Sequence, residues 1–175
     1  KRLGFAGMWG MPVADFCDVE EARRKGCLHQ NARALQTDPK NTYPWAQSMI
    51  LCIYPYRPYR DHLPGYYEAS NSGYHAFKAF IRALNDNGVR AEHTELPVAA
   101  LARRLGIGQA ILSGLTSFGE WGTRVAAYTA VLECTCNGLT DAPIKDQMCQ
   151  GCDACVRACP TGAIDGQGFH WQRCI

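Results

Sequence analysis

Residues 149–160, Cys149-Gln150-Gly151-Cys152-Asp153-Ala154-Cys155-Val156-Arg157-Ala158-Cys159-Pro160, set four thiols at the spacing C-x2-C-x2-C-x3-C-P. That spacing presents sulfur ligands to iron–sulfur clusters. A tight, turning backbone brings three thiolates onto three irons of one cubane. The proline ends the loop and sends the fourth cysteine toward a different cluster. Soft thiolates suit such units far better than carboxylates or imidazoles. Zinc would bring two separated C-x2-C knuckles or histidines. The chain has 10 cysteines in 175 residues, but bridges between such near neighbours are difficult for disulfide geometry.

Working outward, the chain has room for one sizeable core and a small appended module. A hydrophobic share of 47% against a charged share of 19% excludes a disordered chain. No apolar run approaches the length of a membrane span, and the opening Lys1-Arg2-Leu3-Gly4 lacks the apolar core of a signal peptide. The expectation is a cytoplasmic protein with no membrane partner, in a reducing setting where thiols and clusters survive. A net charge of +2 is too small to argue for nucleic acid by itself. A start at Lys1 and an end at Ile175 after a single cysteine group lead to the expectation of an incomplete molecule, or of one that builds only one cluster.

Upstream, residues 3–9 read as an opening strand, and the charged stretch around Glu20 to Lys25 as a short exposed helix ended by Gly26. Ser48 to Tyr54 is a continuous apolar run of strand length between Pro44 and Pro55, as expected of a strand covered on both faces. The prolines of Tyr54-Pro55-Tyr56-Arg57-Pro58-Tyr59-Arg60 imply an extended loop reaching past Tyr66 and Tyr67. Its tyrosines either anchor it over the core or stack on a cofactor or base. Ser70-Asn71-Ser72 are expected to cap a helix through Asn87, stopped by Gly88, with Phe77, Phe80, Ile81 and Leu84 as its buried stripe. Val89 to His93 follows as a strand, giving a strand–helix–strand unit. Pro97 to Leu105 reads as a second helix with Gly106 past its end, and Thr123 to Thr135 as the last long strand. The predicted fold is α/β: a mixed-sheet α/β sandwich over residues 1–140, followed by a partial bacterial-ferredoxin-like 4Fe–4S module over residues 141–175.

Further residues suit chemistry. Glu92 and His93, with Glu95, could form an acid/base group at a strand end, or stand simply exposed at a strand–helix junction. His75 could face a cofactor or donate to a substrate. Gly106 and Gly108 do not make a dinucleotide fingerprint, because a helix precedes them. They permit left-handed backbone or the close approach of a flat ligand. Cys134 and Cys136, at alternating strand positions, would point to one face and could supply a missing cluster ligand. Otherwise they act as small hydrophobes, as Cys17, Cys27 and Cys52 are expected to.

Taken together, the pieces resemble the epoxyqueuosine reductase family, iron–sulfur and cobalamin enzymes of queuosine-tRNA synthesis. The resemblance is carried by Cys159-Pro160-Thr161-Gly162-Ala163-Ile164 with Arg173-Cys174-Ile175, by Leu105-Gly106-Ile107-Gly108 with Leu115, Glu120 and Gly122, by Tyr74-His75, and by Ala46-Gln47-Ser48. It implies a corrinoid over an α/β domain, with Tyr74, His75, Gly106 and Gly108 on the cofactor, fed by one or two 4Fe–4S clusters. Cys149, Cys152 and Cys155 would hold the first cluster, and Cys159 with Cys174 would belong to the second. Glu92 falls where the family has an aspartate general acid. Gln109-Ala110-Ile111-Leu112 departs from the family's W-x-G-K, and the family's second cysteine group and tRNA-associated helical repeats have no counterpart here.

The function expected is therefore an iron–sulfur reductase passing electrons to a corrinoid or substrate, with Glu92 or His93 protonating the product. Its partners would be an electron donor such as ferredoxin or flavodoxin, and tRNA where the family substrate is retained. The alternative is a non-catalytic ferredoxin-like electron-transfer domain.

Overall fold

The computed structural model describes residues 3–24, 35–56, 59–60, 63–136 and 151–174. Their elements are β1 (Gly7–Pro12), α1 (Cys17–Arg24), α2 (Pro39–Thr42), β2 (Ser48–Pro55), β3 (Tyr59–Arg60), β4 (Leu63–Pro64), α3 (Gly65–Asp86) and β5 (Ala91–His93). Then come α4 (Val98–Leu105), β6 (Gln109–Ala110), β7 (Thr116–Ser117), β8 (Val125–Leu132), α5 (Ala154–Ala158), β9 (Ile164–Asp165) and β10 (Gly168–Phe169).

The main sheet has the order β1-β2-β8-β5, and every neighbouring pair in it is antiparallel. β2 and β5 therefore run parallel with β8 inserted between them, and α3 makes the connection. Side-chain alternation explains the apolar run of β2. Met49, Leu51 and Ile53 pack with Leu96, Leu101 and Phe118 on one face. Ile50 and Cys52 pack with Phe77, Tyr128 and Leu132 on the other. Helices thus cover the sheet on both sides, as an α/β sandwich requires. α1 and α4 are joined by Asp18 Oδ2 and Arg103 Nη2 at 2.9 Å, with Arg104 stacked 4.4 Å over the Phe16 ring.

Several element boundaries differ from the sequence reading. β1 lies later than residues 3–9, because pairing with β2 sets its register from Gly7↔Ile53 to Pro12↔Ser48. α3 begins at Gly65, not at the Ser70 cap. Ser70 is inside the helix, its Oγ donating back to Tyr67 O at 3.1 Å, so Tyr66 and Tyr67 belong to the first turn and not to a loop. The stop at Gly88 holds, with φ +80. α4 ends as expected, with Gly106 in the left-handed conformation and its N–H on Ala102 O and Arg103 O.

Two polar contacts lock the layers. Thr129 Oγ1 accepts from Leu96 N at 3.0 Å and donates to Thr94 O, pinning the link between β5 and α4 to the buried middle of β8. Tyr128 Oη donates to Ser70 O at 2.6 Å. The approach is possible because position 73 is glycine: a Cβ there would stand 2.7 Å from that oxygen. Burial pushes the Tyr128 phenol up to about 12, with the neighbouring Tyr66 and Tyr54 adding to the effect. Of the cysteines read as small hydrophobes, Cys52 is fully buried and its thiol is pushed up to about 12 by burial. Cys17 is instead exposed at the start of α1, and Cys27 lies outside the described residues. No described helix is long and apolar enough to cross a membrane.

Candidate iron–sulfur centre and the cleft beside it

The C-terminal module is built around sulfur. Gly151 turns the chain with φ +71 just before Cys152. α5 then carries Cys155, its first turn tied by the Arg157–Asp153 ion pair and by Arg157 N on Asp153 O at 3.0 Å. Cys159 leaves the helix in extended conformation, as expected before Pro160. Gly162 at φ +63 then folds the backbone back, with its N–H on Cys159 O at 3.4 Å. The turn surrounds the Cys159 sulfur with donors. Thr161 Oγ1 stands 3.7 Å away. This hydroxyl first, then the backbone N–H groups of Thr161, Ile164 and Ala163, hold the thiol below its ordinary range. Such a cradle favours thiolate, the form that binds iron.

Beyond it the β9–β10 hairpin is braced by His170 Nε2, 2.8 Å from Asp165 Oδ2, and by Arg173 Nη1, 3.3 Å from Gly162 O. The Asp165 carboxyl is held below its usual range by the Gln167 N–H and then by His170. Cys174 follows directly, with its N–H on Trp171 O at 3.1 Å. Cys152, Cys155 and Cys159 are free thiols, and Cys174 is exposed. Among the described residues no three His, Cys, Asp or Glu side chains converge on one point. The expected first-cluster trio includes Cys149, which lies outside them.

Around the main sheet the other candidates divide between its two faces. His93 packs on the α3 face, 5.5 Å from the Phe77 ring centroid and 6.1 Å from that of Tyr74. It borders a cleft of about 300 Å³ with Lys78, Arg82 and Asn85. Burial lowers its pKa, Glu95 opposing and Lys78 reinforcing. Tyr74 and His75 are neighbours on exposed α3, their ring centroids 5.9 Å apart, with Lys78 Nζ 5.3 Å over Tyr74. Glu92, one residue from His93 on a strand, points to the opposite face and pairs with Val131. The structure therefore separates the two residues expected to act as a group.

Gly106 and Gly108 lie on the Glu92 side, beyond α4. Gly106 is needed as the helix cap. A Cβ at Gly108 would stand 2.5 Å from Ser117 O, so its close approach is to protein backbone. The four residues expected around a corrinoid accordingly do not meet.

What sequence reasoning missed is an open apolar cleft of about 450 Å³ on the α4 face, walled by Tyr56, Tyr66, Leu115, Phe118 and Val125. It adjoins the module. Phe169 of β10 packs against Gly114, next to Leu115 in the β6–β7 hairpin. The cleft's rim residues Leu115 and Tyr66 are exposed at 56% each, an accessibility that residue type and periodicity do not reveal. Thr161 was also missed as a sulfur donor, although a small hydroxyl residue directly after Cys159-Pro160 could have suggested it.

Residues 142–165 match the 4Fe-4S binding domain family. Over 82 residues, 46% of this chain and 20% of the relative, the sequence is 39% identical to epoxyqueuosine reductase of Bacillus subtilis (strain 168). The fold is similar to that of epoxyqueuosine reductase from Streptococcus thermophilus, at TM-score 0.70 and 20% identity over 99% of this chain and 54% of that one. It is likewise similar to an epoxyqueuosine reductase solved with an epoxyqueuosine-modified tRNA-Tyr stem loop, at TM-score 0.71 and 22% identity over 98% and 52%. The chain spans about half the length of these solved relatives.

Proposed function

From the premise that this chain is a homologue of epoxyqueuosine reductase in sequence and fold and has a 4Fe-4S binding domain, we propose that it is a reductase module. In this reading residues 141–175 hold a cluster, and residues 1–140 hold the electron acceptor in the apolar cleft. The observation that carries it is the contact of Phe169 with Gly114, which fastens the cysteine module to the hairpin bordering that cleft.

The donor set fits a cluster: soft sulfur atoms, one already surrounded by hydrogen-bond donors. A 4Fe–4S cluster bound there would supply single electrons. The chain's part is to hold thiolates at Cys152, Cys155, Cys159 and Cys174 together with Cys149, and to exclude water with the walls of Tyr56, Leu115 and Phe118. The flat apolar wall suits one face of a corrinoid, the acceptor implied by homology, although Tyr74, His75, Gly106 and Gly108 do not gather to it. Of the two expected acids, Glu92 shares the cleft's sheet face and His93 does not. Glu92 stands about 13 Å along β8 from cleft-lining Ala127 at ordinary strand rise, so it protonates only a substrate that extends from the cleft along the sheet. A ferredoxin or flavodoxin would be the donor, and a tRNA stem loop like the one on the solved relative is a candidate substrate.

Anaerobic reconstitution with iron and sulfide, followed by cobalamin titration, tests this reading. Stoichiometric iron and sulfide with a spectral shift on adding cobalamin supports it. Cluster formation without any cobalamin shift leaves electron transfer alone. Glu92→Gln should lower turnover about 100-fold or more if it is the acid.

A further inference from the structure

Beyond β8 the chain places two thiols, read from the sequence as a possible source of a cluster ligand, that the cluster assignment above leaves unused. Cys134 and Cys136 follow β8 with one residue between them, past the end of regular strand pairing. Both still pack against the same buried cluster as Ile50 and Leu132. They share a face, as alternation suggested, but through a bend and not through strand pleating. Ser48, 1% exposed, positions both: its Oγ donates to Cys134 O at 2.6 Å and stands 3.0 Å from Cys136 Sγ. Position 10 must be small for this arrangement, since a Cβ on Gly10 would stand 2.9 Å from Cys136 Cβ and 3.4 Å from its sulfur. One hydroxyl therefore fixes the Cys134 backbone and the Cys136 sulfur together, and the two thiols pack on one patch. Their access differs. Cys134 borders an open groove with Trp45, Gln47 and Glu133, whereas Cys136 lies inward against Gly10 and Ser48.

We propose that Cys134 and Cys136 form a reversible dithiol–disulfide couple, with Cys134 as the attacking thiol and Cys136 as the resolving one; the strain of a bridge between such near neighbours makes it easily reduced, unlike a structural disulfide. The oxidant is a low-molecular-weight disulfide, RSSR. Cys134 thiolate attacks one sulfur of RSSR, forming a mixed disulfide and releasing RS⁻. Cys136, deprotonating, attacks Cys134 Sγ, closes the internal bridge and releases the second RS⁻. Overall two protein thiols and RSSR become one protein disulfide and two RSH, and excess RSH reverses both exchanges. Burial raises the Cys136 thiol above its ordinary range, which fits its place as the second thiol to react and not the first. A couple of this kind suits a reducing compartment, where disulfides are transient and redox-sensing. The proposal is independent of the acceptor and substrate assigned above.

The test is a redox titration of the cluster-loaded protein, prepared anaerobically and equilibrated in glutathione buffers of graded ratio. Samples are acid-quenched, alkylated and mapped by peptide mass spectrometry, with iron and sulfide measured in parallel. The expected result is a peptide bearing Cys134 and Cys136 that is two hydrogens lighter at the oxidising end and doubly alkylated at the reducing end, with iron and sulfide unchanged. Cys136→Ser should lose the bridge completely and stop as a glutathione adduct on Cys134. Cys134→Ser should give neither adduct nor bridge. Double alkylation of the wild-type peptide at every ratio overturns the proposal. So does a bridge from either sulfur to a cluster cysteine, or an adduct on Cys136 in Cys134→Ser.

Discussion

The ring of Phe169 lies against the backbone of Gly114 so closely that a methyl group on Gly114 would stand 2.8 Å from Cδ1. Gly114 also has φ +78, where a side chain is strained whatever the space. Gly114→Ala is expected to cost about 1–3 kcal/mol and to loosen the cysteine module before the sheet. Limited proteolysis with mass mapping should show earlier cleavage beyond residue 150 while the thermal transition of the sheet falls by only a few degrees. Equal protection in variant and parent would contradict the contact.

Thr129 is a buried residue with two obligations. Replacing it by valine keeps the shape but takes the hydroxyl away from Leu96 N–H and Thr94 O, which keep only their own 3.1 Å hydrogen bond. The expected loss is about 1–3 kcal/mol, read as a lower urea midpoint at unchanged m-value. Thr129→Ser, which retains the hydroxyl, should recover the hydrogen-bonding part.

His93 gives a pH dependence of definite sign. Its pKa is lowered by burial in the folded state, so the unfolded chain binds more protons just below the ordinary histidine value. Its contribution to stability is whole above about pH 6.5 and is lost as pH falls through the folded pKa. Thermal melts between pH 7 and pH 5 should show a decline that His93→Gln flattens. An identical slope in both proteins would remove His93 as the cause.

Thiol chemistry separates buried from ligating cysteines. In protein stripped of metal, exposed Cys152 and Cys174 should be alkylated rapidly at pH 8, while Cys52, fully buried and raised to about 12, should react only on unfolding. Thr161→Val removes the hydroxyl 3.7 Å from the Cys159 sulfur and should shift the cluster's midpoint potential downward, since hydrogen bonds to sulfur stabilise the reduced, more negative state. Redox titration monitored by electron paramagnetic resonance would read the change.

Much of this architecture is legible in the chain because burial leaves periodic traces. Ser48 to Tyr54 reads as a doubly covered strand since both faces of β2 are dry from Ser48 to Ile53. Phe77 to Leu84 reads as a helix because one stripe is apolar and the other wet. The beginning of α3 is hidden, because the prolines just ahead and the polar Ser70-Asn71-Ser72 look like a cap but lie along an exposed helical face. The order β1-β2-β8-β5 is hidden too, since periodicity gives faces and not neighbours. The separation of Glu92 from His93 follows from the strand period of two, and treating adjacent residues as one group overlooked it. The donors around Cys159 come from a turn whose hydrogen bonds form only in three dimensions.

The placement of β8 has a consequence for biosynthesis. The sheet's second-innermost partner is its last strand to be translated, so β2 has neither its right-hand neighbour nor a complete covering until Leu132 emerges from the ribosome. Until then the most apolar segment of the chain waits with an open edge, and assembly of the sheet depends on long-range pairs running from Pro55↔Val125 to Ser48↔Leu132. Truncations ending before Val125 should therefore aggregate and not accumulate as a smaller folded unit.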